Sequence, residues 1–266
     1  MKRIALTLVL TLIFGFLFCG IPVQPVHAKV FWSIYIDADG SVVGTNRIRR
    51  DGDLYTLTCN FSDGIGVQKS NIVVDGAGYT LEGKSQGRGV DISGSNVTVK
   101  NMRIVNWERG INCGSGNTFI GNYLANCSFQ IFGSNNTLRH NTILSGGVCI
   151  LYSGINVITE NNFIDFGLFV GVECPEQIVD KNYWSDYLTK YPNAKEIDNT
   201  GIWDTPYCYD WFYDGVGYTD DHPLIESVTV IEPDPAIPEF PSLIFILPII
   251  AAISVGLLVH FKKRKR

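Results

Sequence analysis

Four oxygen-bearing side chains stand close together in one short stretch, Glu196-Ile-Asp-Asn-Thr-Gly-Ile-Trp-Asp204. They are Glu196, Asp198, Thr200 and Asp204. Calcium takes roughly six to eight oxygen ligands, and its loops present them at alternate positions with backbone carbonyls between. The spacing makes these four residues candidate calcium ligands, with Ile202 offering a carbonyl. The competing reading is an ordinary acidic loop.

Three other sets of residues bear on chemistry. Asp75, Asp91, Glu108, Glu160, Asp165, Glu173 and Asp180 are carboxylates carried by the central region. Glycoside-cleaving chemistry needs two of them within a few ångströms on one face. These seven fall at different phases of the local repeat, so they read as solvated turn residues. Copper would need imidazoles or soft sulfur. His140, His222 and Met102 are the only such His and Met between residues 28 and 260, and no ligand spacing links them. Cysteines 59, 113, 127, 149, 174 and 208 form an even set without CxxC, so disulfides are permitted but their pairing is open. Cys113 follows the apolar alternation of Ile111 and fits a core position as well as a bridge. Trp107, Tyr123, Phe129, Tyr152 and Phe169 offer rings for a sugar or for the core.

The elements that must position these groups come from a repeat. An apolar residue, two others, Asn, one other and an apolar residue recur as Phe119…Asn122…Leu124, Leu138…Asn141…Ile143, Ile158…Asn161…Phe163 and Val179…Asn182…Trp184. Val74…Ala77…Tyr79 and Val99…Met102…Ile104 keep the apolar ends without Asn. A fixed step near 20 residues marks a solenoid. Short alternating segments broken by Gly, Asn and Ser read as strands and turns, not helices. The prediction is all-β: a right-handed parallel β-helix of about six coils. Apolar ladders should run through Val74, Val99, Phe119, Leu138, Ile158 and Val179, and through Tyr79, Ile104, Leu124, Ile143, Phe163 and Trp184. A third is expected through Ile92, Ile111, Ile131, Ile150 and Val172. The four Asn side chains should stack in a buried column that satisfies turn backbone.

These repeats resemble those of the NosD-like and "carbohydrate-binding and sugar hydrolysis" β-helix proteins. Tyr35-Ile-Asp-Ala-Asp-Gly-Ser-Val-Val-Gly44 and Asn71-Ile-Val-Val-Asp-Gly-Ala-Gly-Tyr-Thr-Leu-Glu-Gly83 are similar to the first-coil region of archaeal surface members. Asn182-Tyr-Trp-Ser-Asp-Tyr187, Asp204-Thr-Pro-Tyr207 and Asp221-His-Pro-Leu224 are similar to their closing segment. The resemblance implies the fold, and carbohydrate binding, a polysaccharide lyase or hydrolase activity, or copper handling as alternatives. It also implies a calcium loop before Asp204, although Thr200 and Trp203 stand where such relatives carry Asp and Gly.

The ends predict a membrane-anchored surface protein. Residues 1–28 read as a signal peptide, with Lys2 and Arg3 before the apolar run Ile4–Phe18. Residues 29–69 are expected to cap the stack, 70–184 to form the coils and 185–230 to close it. A Pro-rich stalk (231–241), a membrane-crossing helix (242–261) and a basic cytoplasmic tail (262–266) complete the chain. Lys2, Arg3 and the five basic tail residues account for seven of 21 Lys and Arg. The segment between therefore carries 14 against all 26 Asp and Glu, a formal charge of −12. Such a surface disfavours nucleic acid and attracts cations. Surface carbohydrate is the expected partner. Asn60-Phe-Ser, Asn96-Val-Thr, Asn126-Cys-Ser and Asn135-Asn-Thr are glycan acceptor triplets.

Overall fold

The computed structural model describes residues 33–165, 167–171, 174–175, 177–208 and 219–229. Each coil contributes three short strands, and successive coils pair in parallel to build three sheets around one apolar core. Sheet 1 holds Ile34–Ile36, Ile65–Val67, Arg88–Ile92, Arg109–Cys113, Ser128–Ile131, Val148–Ile150 and Leu168–Val170, with Val42–Val43 antiparallel at its edge. Sheet 2 holds Leu54–Leu57, Ile72–Asp75, Val97–Lys100, Thr118–Ile120, Thr137–Arg139, Val157–Thr159 and Ile178–Asp180, edged by antiparallel Ile48–Asp51. Sheet 3 runs from Thr80–Glu82 through Arg103–Val105, Tyr123–Ala125, Thr142–Leu144 and Asn162–Ile164 to Tyr183–Trp184. The predicted parallel β-helix is the observed fold. Its coils begin inside the stretch expected to be only a cap, and the antiparallel strands shield the first rung's unpaired edge.

The first ladder runs as the repeat predicts, from Val74 through Val99, Phe119, Leu138 and Ile158 to Val179, and Tyr55 precedes it. Two expectations need correction. Leu81, not Tyr79, starts the ladder that continues with Ile104. The turn before it holds Ala77 and Gly78 at positive φ, and this longer turn delays the inward position by two residues. In sheet 1, Ile92 pairs with Cys113, Ile131, Ile150 and Val170, while Ile111 belongs with Val90, Phe129, Val148 and Leu168. Each sheet 1 strand buries two apolar positions, and the expected ladder mixed them. Cys113 is therefore core, at 1% exposure. Cys59, Cys113, Cys127, Cys149 and Cys208 are free thiols.

The Asn column is present and wholly buried. Asn141 Oδ1 accepts from Asn122 N–H and Nδ2–H, both at 3.0 Å, and Asn161 and Asn182 repeat the arrangement. Each Nδ2 also donates to a carbonyl one coil back, as Asn141 does to Phe119 O at 2.9 Å. A second column, Asn117, Asn136, Asn156 and Gln177, links rung to rung at another corner, and its Asn amides donate to carbonyls of their own turns, Ser115 O, Gly133 O and Gly154 O. Two buried columns let the chain turn sharply at each coil without orphaned backbone donors.

Among the described residues no helix is long and apolar enough to cross a membrane. The expected signal peptide, stalk, membrane-crossing helix 242–261 and basic tail lie outside the described residues.

Candidate functional site

The site forms where the last coils meet the closing segment. Helix α1 (Tyr187–Lys190) follows the last sheet 3 strand, and Tyr207–Cys208 pairs antiparallel with Thr219–Asp220. The closing residues extend two ladders without adding a coil. Trp184 lies stacked between Phe163 (4.3 Å between centroids) and Tyr207 (4.4 Å), all three rings nearly parallel. Asp220, 0% exposed, takes the next place in the Asn column. Its Oδ2 accepts from Asn182 N–H (2.8 Å), Asn182 Nδ2–H (3.1 Å) and Trp184 Nε1–H (3.1 Å). Its Oδ1 accepts from Lys181 N–H (2.9 Å) and His222 N–H (3.2 Å). A carboxylate suits this place because the column ends here and only acceptors are needed. Burial raises the Asp220 carboxyl above the ordinary range, against the pull of these donors. Asn162 grips the same segment, exchanging hydrogen bonds with the Val228 backbone at 2.9 and 2.7 Å.

Between sheet 1 and this closing segment opens a cleft of about 730 Å³. Its floor is the outer side of the last sheet 1 strands, with Ser128, Cys149 and Phe169, and its wall carries Asp165, Ser185, Asp186, Thr189, Lys190 and Tyr207. The Phe169 ring is 36% exposed, an apolar surface among hydroxyls and charges. Tyr207 O–H donates to both Asp186 oxygens at 3.0 Å, and Lys190 Nζ donates to Cys208 O while lying 4.9 Å from the Tyr207 ring centre. These bonds hold the wall in one arrangement.

Two carboxylates, Asp165 and Asp186, line this cleft. Asn162 pairs with Tyr183 and Phe163 with Trp184. That pairing ends at Trp184; just past it Asp165, on the turn next to the one that carries Asp186, donates its N–H to Ser185 Oγ at 3.1 Å. Asp186 lies just past the last repeat, so reading the coils alone missed it. Burial, and then the neighbouring Cys174, raise the Cys149 thiol above its ordinary range.

The acidic loop folds as a tight hairpin. Ile197 N–H reaches Ile202 O at 2.9 Å, and Gly201 N–H donates to Glu196 Oε1 at 2.9 Å. Thr200 Oγ1 donates to Ile197 O at 2.6 Å, and Asp204 Oδ1 accepts from Lys195 N–H and the Thr205 hydroxyl, each at 3.0 Å. The Lys195 N–H bond holds the Asp204 carboxyl below the ordinary range. Asp198 is exposed, with φ of 45°. Among the described residues no three His, Cys, Asp or Glu side chains are grouped to hold a metal. The copper candidates stand apart: His140 Nε2 lies 2.9 Å from Glu160, His222 Nδ1 lies 2.6 Å from Asp180, and Met102 is buried.

The other rings divide by facing. Phe129 is core, Trp107 is buried with Nε1–H donating to Leu81 O at 3.0 Å, and Arg103 lies 4.2 Å over the Tyr123 ring centre. Tyr152 is 82% exposed. No protein-family model, curated protein or solved structure matches the chain.

Proposed function

We propose that this protein is a carbohydrate-binding β-helix of the cell surface, NosD-like in type, held by its C-terminal membrane segment. The cleft is the binding site. The observation that carries this reading is the partly exposed Phe169 ring among the Ser185, Thr189, Asp165, Asp186 and Lys190 polar groups. A sugar ring has an apolar face for an aromatic and hydroxyls for charged partners, and a small number of fixed polar groups sets its orientation. The cell-surface placement rests on the apolar ends and the acidic central segment. A glycan array probed with the intact, detergent-solubilised protein tests it: a defined set of oligosaccharides should be retained, and an empty array would sink the reading.

The presence of Asp165 and Asp186 in the lining of one cleft favours a second reading, cleavage of a polysaccharide there. One carboxylate would protonate the leaving oxygen and the other would act as base or nucleophile. Release of reducing ends, lost in Asp186→Asn, would establish it.

A further inference from the structure

The four acceptor triplets differ in what their asparagines already do. Asn60 Oδ1 accepts from Thr80 N–H at 2.8 Å. Asn96 Nδ2 donates to Asn71 Oδ1 at 2.9 Å, and Asn126 Nδ2 donates to Asn106 Oδ1 at 3.1 Å. These three amides tie neighbouring turns together. Asn135 is exposed, at the left-handed apex of its turn (φ 60°), and its side chain makes no hydrogen bond with any described residue. Its neighbour Asn136 is locked in the buried column, so the backbone that presents Asn135 is fixed.

A second observation lies beside it. This turn, between sheets 1 and 2, lengthens by one residue at each coil: Cys113 to Asn117, Ile131 to Asn136, Ile150 to Asn156, Val170 to Gln177. Several apolar side chains in the described turns are left exposed. Phe132 (40% exposed), Tyr152 (82%) and Ile155 (49%) form an apolar ledge there. Asn135 N–H donates to Ile155 O at 2.8 Å, so the free amide sits on the edge of the ledge. Contiguous exposed apolar surface of this kind can mark a place where something binds.

We infer that Asn135 is an N-glycosylation site and that the attached glycan covers the Phe132, Tyr152 and Ile155 ledge. The inference rests on the reading that this part of the chain lies outside the membrane. Asn135 Nδ2 attacks the anomeric carbon of a lipid-linked oligosaccharide, delivered by a membrane oligosaccharyltransferase of the host. The nitrogen–carbon bond forms, the carbon–oxygen bond to the lipid phosphate breaks, the phosphate keeps the electron pair, and one amide proton leaves to a base. The first sugar ring then lies against the Tyr152 ring, which is 82% exposed.

The test uses the full chain purified from its own host, after protease treatment of intact cells has established which side residues 33–229 occupy. Peptide mass mapping should find a glycan on the peptide bearing Asn135 and none on that peptide in Thr137→Ala. A dye specific for apolar surface should bind Thr137→Ala about twofold more than the wild type, with unchanged melting. Adding Tyr152→Ser should cancel the gain. A bare Asn135 on a chain shown to lie outside would overturn the inference while leaving the surface reading intact. Glycans confined to Asn60, Asn96 or Asn126 would overturn it equally. Protection of the whole chain from protease would remove both.

Discussion

The coils and the closing segment solve the same problem by different means. In the coils each buried Asn both accepts from the rung before it and donates to a carbonyl, so an amide is required. At the end of the stack Asp220 only accepts, and a carboxylate replaces the amide. Likewise the sheet 3 ladder passes from Phe163 to Trp184 by coil repetition, then to Tyr207 by a strand that is no part of a coil. The repeated region supplies rigidity, and the unrepeated one supplies the chemical variety that lines the cleft.

Substitutions that exchange these two solutions should have the largest effects. Asp220→Ala strands four backbone or indole donors and the Asn182 amide, and should cost about 3 kcal/mol or more in denaturant unfolding. Asp220→Asn keeps one acceptor but turns an NH₂ toward other donors, and Asn141→Asp deprives Phe119 O of its donor. Both should destabilise, each by about 2 kcal/mol. If either swap were neutral, the acceptor-only end and the two-way interior would not be distinct.

Next in size is the core. Leu138→Ala, mid-ladder and fully buried, should cost about 2–5 kcal/mol, while Lys84→Ala on an exposed turn should cost little. Equal melting temperatures would contradict the ladder.

Asp220 also predicts a pH dependence. Its carboxyl is raised in the folded chain, so its contribution is full below the ordinary carboxylate range and declines as pH rises through the folded value. Unfolding free energy compared between wild type and Asp220→Asn across that range should show this slope in the wild type alone. An opposite slope would mean the five donors outweigh burial.

The smallest effect belongs to the acidic hairpin, which its own hydrogen bonds already fold. Calcium against chelator should move the melting temperature by less than about 1 °C, since a weak site adds little by linkage. A larger shift abolished by Asp198→Ala would place calcium among Glu196, Asp198, Thr200 and Asp204.

The same contrast explains what the sequence revealed. The period of Asn122, Asn141, Asn161 and Asn182 spelled out the coils because stacked rungs demand the same residue at the same step. The second column was equally legible, five residues earlier in each repeat, and its Gln177 only lengthens the side chain. The sheet 1 ladder went astray because Ile111 and Cys113 both face the core on one strand, and the partner of Ile92 is Cys113, not Ile111. Asp220 left no periodic signal: it meets Asn182 across 38 residues of unrepeated chain. The cleft was hidden for that reason, since Asp186, Lys190 and Tyr207 gain their meaning only when the closing segment folds back over Phe169.

Titration calorimetry of the strongest array ligand tests the central claim that this junction holds carbohydrate. Wild type and Tyr152→Ser should bind alike, while Phe169→Ala should weaken binding about tenfold with its fold intact by circular dichroism. Unchanged affinity in Phe169→Ala, or loss in Tyr152→Ser instead, would contradict the assignment of the cleft.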